Sequence, residues 1–94
     1  MKHNALMHEE QDDVAVVIVD IKAGETVSAV DLDGNPRQTV TATQDIPLGH
    51  KIAVRDIENG RQVIKYGRSI GKASQAVTKG SHVHIHNVKS ERWA

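Results

Sequence analysis

The sequence predicts a small all-β domain of short strands with glycine turns, on three observations. Twelve Val and eight Ile stand against three Leu, one Tyr, one Trp and no Phe, and β-branched side chains suit a pleated surface better than a helix. Seven glycines punctuate the expected strands. No stretch keeps a 3.6-residue apolar period over ten or more positions, so little helix is expected. At 94 residues the chain makes one domain, residues 1–94, which buries roughly 60–65% of its unfolded surface and has little stability to spare.

Residues 1–12 are polar and, with Asp13, gather Glu9, Glu10 and Asp12; they suggest a less ordered lead-in or a short edge segment. His3 and His8 fall there and carry no expected role. Val14-Ala15-Val16-Val17-Ile18-Val19 is a continuous apolar run, the pattern of a strand buried on both faces. A turn at Lys22-Ala23-Gly24-Glu25 leads to a second strand over 26–32. Asp33-Gly34-Asn35-Pro36 carries the strongest turn signal: Asp-Gly favours a type I′ hairpin turn, and Pro36 should end the pairing. Residues 37–44 then alternate, with Val40 and Ala42 on one parity and Thr39, Thr41 and Thr43 on the other. Pro47 and Gly49 turn the chain and present His50 and Lys51 at the start of Ile52-Ala53-Val54. Further strands are expected over 62–67 and 69–73. No internal repeat is evident. Residues 89–94 form a less ordered polar tail, in which Trp93 beside Arg92 is a natural interface anchor.

The stretch Gly80-Ser81-His82-Val83-His84-Ile85-His86-Asn87-Val88 alternates strictly, as a strand does. Val83 and Ile85 should face a core and His82, His84 and His86 the other side. The imidazoles of His84 and His86 can then converge on one ion or one substrate. Two ligands do not complete a metal site, and no third stands at a fixed spacing.

Twelve acidic and twelve basic residues cancel, so no global field draws nucleic acid or an acidic membrane. Near-absence of aromatic residues argues further against single-strand binding. No window is long and apolar enough to span a bilayer. The N-terminal sequence lacks the apolar segment of a signal peptide, and zero cysteines fit a reducing compartment. A cytoplasmic protein is expected.

Three clusters combine residue types suited to an anionic, hydroxylated small molecule: His50-Lys51, Lys65-Tyr66 and His84-x-His86-Asn87. Lys binds carboxylate or sulfonate as a point charge. His moves a proton near neutral pH or holds a metal, and Asn offers a donor and an acceptor to hydroxyl groups.

Four ordered blocks carry a resemblance: Asp45-Ile46-Pro47-Leu48-Gly49-His50-Lys51-Ile52-Ala53, Val63-Ile64-Lys65-Tyr66-Gly67, Ile70-Gly71-Lys72-Ala73 and Val83-His84-x-His86-Asn87-Val88. Together with Asp13-Val14-Ala15-Val16 and the Ala23-Gly24 turn, they resemble the SAF-type β-clip module of altronate and galactarate dehydratases over nearly the whole chain. In most of those enzymes the module opens a much longer chain. Standing alone, it is more similar to the small (alpha) subunits of (2R)-sulfolactate sulfo-lyases.

The resemblance implies a β-clip fold and the small subunit of a two-component lyase. Its reaction would be β-elimination from a 2-hydroxy acid: sulfite release from (2R)-sulfolactate, or dehydration of a sugar acid in an altronate/galactarate-type enzyme. It further implies a separate large catalytic subunit as partner and a divalent metal, Fe(II), held mainly by that subunit. On the matching positions, His50 and His86 would transfer protons and His84 and His86 would form a metal or substrate site. Lys51 and Lys65 would bind the anion, with Tyr66 and Asn87 orienting the substrate. His82 lies outside the motif's core and is given no role. A reading of another class is a non-catalytic carbohydrate-binding module, since β-clip domains also occur in such proteins.

Overall fold

In the computed structural model, residues 3–9, 11–65, 67–84 and 87–89 are described, Lys89 by its backbone only. The described residues form nine strands and no helix: β1 (Ala5–Leu6), β2 (Val14–Val17), β3 (Thr26–Val30), β4 (Pro36–Thr41), β5 (Lys51–Ala53), β6 (Gln62–Lys65), β7 (Arg68–Ala73), β8 (His82–Val83) and β9 (Val88–Lys89). Nothing among them is a helix long and apolar enough to cross a membrane. One sheet has the order β4-β3-β1-β2-β5-β8, the other β6-β7-β9. The fold is all-β, as the composition predicts.

Strands β2 and β5 lie at the centre because both of their faces are covered. Along β2, Ala15 and Val17 enter one core cluster with Ile21, Ile46 and Ile52, while Val14 enters a second with Ala53, Ile57, Val63, Val77 and Val83. Two-sided burial is why residues 14–17 read as an unbroken apolar run rather than an alternating one; Ile18 and Val19, expected in the same buried strand, lie past its end and are exposed. Each fully buried Val or Ile contributes about 1.5–3 kcal/mol.

A fourfold repeat, not evident in the sequence reading, organises both cores. Asp20-Ile21-x-x-Gly24, Asp45-Ile46-x-x-Gly49, Asp56-Ile57-x-x-Gly60 and Ala76-Val77-x-x-Gly80 adopt one turn, with glycine φ of 92°, 87°, 84° and 91°. The turns pair two by two: Ile21 and Ile46 exchange backbone hydrogen bonds of 2.9 and 2.8 Å, and Ile57 and Val77 exchange two of 2.8 Å. Each pair plants its two branched side chains in one of the two cores. The glycine N–H groups then donate to Ala42, Val17, Ala73 and Ala53 carbonyls at 2.8–2.9 Å, launching the next strand of each copy.

Several expectations need correction. The described residues of the expected 1–12 lead-in are part of the fold: β1 lies inside the sheet, parallel to β3 and antiparallel to β2, and Ala5, Met7 and Asp12, with Asp13 after them, are fully buried. The 31–35 loop is no two-residue hairpin turn. Asp31 Oδ1 accepts the Asp33 and Asn35 N–H groups, both at 2.9 Å, and Pro36 begins β4 opposite Val30 instead of ending the pairing. The expected strand over 80–88 is broken: β8 stops at Val83, and β9 pairs with β7 in the other sheet.

Candidate functional site

The turn of the second repeat delivers His50. Its carbonyl accepts the Val17 N–H at 2.9 Å, which fixes the backbone at the start of β5. The turn of the fourth repeat delivers His82 onto β8, antiparallel to β5, with Ile52 opposite His82 and Lys51 opposite Val83. Cross-strand partners share a face, so one more step of this register sets His84 against His50.

The three imidazoles accordingly gather. His50 and His84 stack with centroids 3.9 Å apart and planes at 18°, and the His50–His82 centroid separation is 4.9 Å. His50 Nδ1 and His82 Nε2 share a hydrogen bond of 2.7 Å. One ring nitrogen from each of the three lies within 4.8 Å of those of the others, and all three residues are half-buried. Strand alternation read from the sequence places His82 and His84 together on the side opposite buried Val83. It did not reveal His50 as their neighbour, because that depends on the non-local β5–β8 pairing. His82, given no role in the sequence reading, is a full member of the group.

Asn87 explains why the chain turns here. Its Oδ1 accepts the His84 N–H at 2.9 Å and its Nδ2 donates to the His82 carbonyl at 2.8 Å. The residue is 3% exposed, so its amide holds the histidine backbone from within. On the other side the Gln44 Oε1 accepts the His82 N–H at 3.0 Å.

Lys51 leaves β5 on the face opposite to His50, by the alternation of a strand. It is half-buried. Burial, and then the positive charge of Lys65, pull its ammonium pKa below the ordinary lysine range. Lys65, at the end of β6, is set in place by two buried acids. Asp13 Oδ1 takes a 2.7 Å hydrogen bond from Arg61, and its Oδ2 accepts the Ile64 N–H at 2.9 Å. Asp12 Oδ1 accepts the Gly67 N–H at 2.8 Å, and its Oδ2 accepts the N–H groups of His8 and Glu9. Two acids expected at a less ordered lead-in thus tie the N-terminal segment to the β6–β7 hairpin.

Of the expected site residues, the structure brings His50 together with His84, and the charge of Lys65 reaches Lys51. His50 and Lys51 themselves point to opposite sides. Tyr66 and His86 lie outside the described residues, as does Trp93.

Over residues 3–91 the chain matches the altronate/galactarate dehydratase SAF domain. It is 37% identical over 94 residues to the (2R)-sulfolactate sulfo-lyase subunit alpha of Chromohalobacter salexigens, covering 99% of this chain and 100% of that one. It is 47% identical over 79 residues to the altronate dehydratase of Escherichia coli, covering 84% of this chain but 15% of that one. For the altronate dehydratase of Bacillus subtilis the identity is 37% over 90 residues, or 96% of this chain and 17% of that one. The chain spans about a sixth of these dehydratases and the full length of the sulfo-lyase subunit. The match covers nearly the whole chain: the chain belongs to the altronate/galactarate dehydratase SAF domain family.

Proposed function

We propose that the chain is the small subunit of a two-component cytoplasmic lyase, which eliminates sulfite from (2R)-sulfolactate and forms pyruvate with a separate large subunit. The observation that carries this reading is the end-to-end match to a sulfo-lyase alpha subunit. In the elimination a base removes the proton α to the carboxylate, and the carbon–sulfur bond breaks with its electron pair leaving on sulfite. The enol that remains becomes pyruvate.

Lys51 and Lys65 suit the binding of a dianionic substrate: each cation makes the other costlier, and an anion between them relieves both desolvation and repulsion. Asn87 acts as a positioning residue through the backbone of His82 and His84. Because His50 is hydrogen-bonded to His82 and stacked on His84, we group it with them and leave proton transfer to His86 and the large subunit. Tyr66 orients the substrate. Fe(II) is the cofactor in this reading, held mainly by the large subunit; a bound divalent ion polarises substrate oxygen and stabilises developing negative charge.

A second reading, the small subunit of a sugar-acid dehydratase, is favoured by the 47% identity to an altronate dehydratase. The test is reconstitution of the chain with its large subunit and Fe(II), offering sulfolactate, altronate and galactarate. Sulfite and pyruvate from sulfolactate, in the pair only, are expected. A 2-keto acid from altronate or galactarate alone favours the second reading, and no product from any of the three contradicts both.

A further inference from the structure

We infer that His50, His82 and His84 form a metal site belonging to this chain itself, taking a divalent first-row transition metal through three ring nitrogens. This goes beyond an ion held mainly by the large subunit; any part the ion plays in elimination rests on the lyase reading, but its binding does not.

Three neutral imidazoles are a donor set for Zn, Fe(II), Co, Ni or Cu, whereas Mg and Ca require oxygen ligands. The chain has no cysteine, and among the described residues no carboxylate joins the group. His82 on β8, His84 just past its end and His50 just before the neighbouring β5 bring one ring nitrogen each to a common place. Such a set leaves coordination positions open to water or substrate, as catalytic three-ligand sites do.

The distances are close to those required. Metal–nitrogen bonds of about 2.0–2.1 Å place tetrahedral ligand nitrogens about 3.4 Å apart, and here all three lie within 4.8 Å. The rings, now 12–30° from parallel, must turn about χ2 for their lone pairs to converge. Asn87 and Gln44 already hold the backbone of His82 and His84 by three hydrogen bonds of 2.8–3.0 Å, so the two rings start from fixed positions.

The test is titration of the metal-stripped full chain with Co(II), followed by visible absorption, and with Zn(II), followed by calorimetry. One equivalent of each is expected, with no saturable uptake of Mg(II) or Ca(II). The site should be lost in His50→Ala, His82→Ala and His84→Ala chains that keep their β circular dichroism, and kept in His3→Ala and His8→Ala. Where an alanine variant unfolds, the corresponding glutamine variant is used. Asn87→Ala, which frees the backbone that carries His82 and His84, should weaken affinity. Absence of one-equivalent binding, or binding that survives loss of any of the three histidines, overturns the site. Product formation by a pair whose small subunit binds no metal would overturn the site and spare the lyase reading. A chain that binds Co(II) as expected, yet yields no product with its partner, would uphold the site and sink the lyase reading.

Discussion

Asp20 and Asp45 brace each other's turns: the Asp20 carboxylate accepts the Leu48 N–H at 2.9 Å, and the Asp45 carboxylate accepts the Ala23 N–H at 2.8 Å. In the second pair of turns the exchange is half complete. Asp56 accepts the Lys79 N–H at 2.8 Å, but the position that would return the bond to Asn59 is Ala76. Ala76→Asp should therefore stabilise the chain by about 0.5–1 kcal/mol, and Asp20→Ala should cost a similar amount. Chemical denaturation of both variants checks the pair of signs.

Equivalent glycines differ in what surrounds them. Gly49 and Gly80 have φ of +87° and +91°, but a Cβ at 49 meets nothing within 4 Å, whereas one at 80 runs into the Thr41 carbonyl oxygen. Gly49→Ala should cost about 1–2 kcal/mol, the penalty of the left-handed backbone alone. Gly80→Ala should cost more than about 4 kcal/mol, and it should disturb His82 two residues on. Thermal melts separate the two.

Asp13 is wholly buried and takes hydrogen bonds from both Arg61 and the Ile64 N–H. Removing it in Asp13→Ala leaves that N–H without its acceptor and should cost about 3 kcal/mol. Arg55 sits 3.6 Å from the same carboxylate, beyond hydrogen-bond distance, and donates instead to the Asp12 carbonyl at 3.0 Å, so Arg55→Ala should cost less than Asp13→Ala, about 1–2 kcal/mol. Denaturant midpoints rank the two variants.

Lys51 gives a pH dependence with a definite sign. Its folded pKa lies below the ordinary 10.5, through burial first and Lys65 second, so the folded chain releases this proton before the unfolded chain does. Between the folded pKa and 10.5 the unfolded state binds more protons, and this group's contribution to stability rises with pH. Below that window its burial is a fixed cost. Lys51→Gln should therefore raise the melting temperature at pH 7 and flatten the rise toward pH 10. In the paired enzyme the same variant should weaken binding of the anionic substrate. Melting curves against pH, beside the substrate KM, test both halves.

Local patterns were legible and distant pairings were not. The alternation around Val83 placed His82 and His84 on one side, and the apolar run at Val14 announced a doubly buried strand. Period-2 reading alone also separates His50 from Lys51, although their adjacency in sequence suggested one cluster. The repeat escaped notice because its copies are unevenly spaced and the fourth has Ala76 and Val77 for Asp and Ile. The end of β8 at Val83 was hidden because a side chain holds it: Asn87 bonds to the backbone of His82 and His84. His50 joined the histidines only through the β5–β8 register, which no local signal encodes. Asp12 and Asp13 suggested a less ordered lead-in because their partners, Arg61 and the N–H groups of Ile64 and Gly67, lie about fifty residues away.

The central claim is that the small subunit's histidine group belongs to an active site shared with the large subunit. Its most direct test is sulfite release from sulfolactate by the reconstituted pair carrying His84→Ala, with complex formation verified by size-exclusion chromatography. The account predicts an intact complex whose rate falls by about a hundredfold or more, since losing a metal ligand costs at least as much as losing its outer support. An intact complex that releases sulfite at the unaltered rate would contradict it, and would leave the histidine group as scaffold.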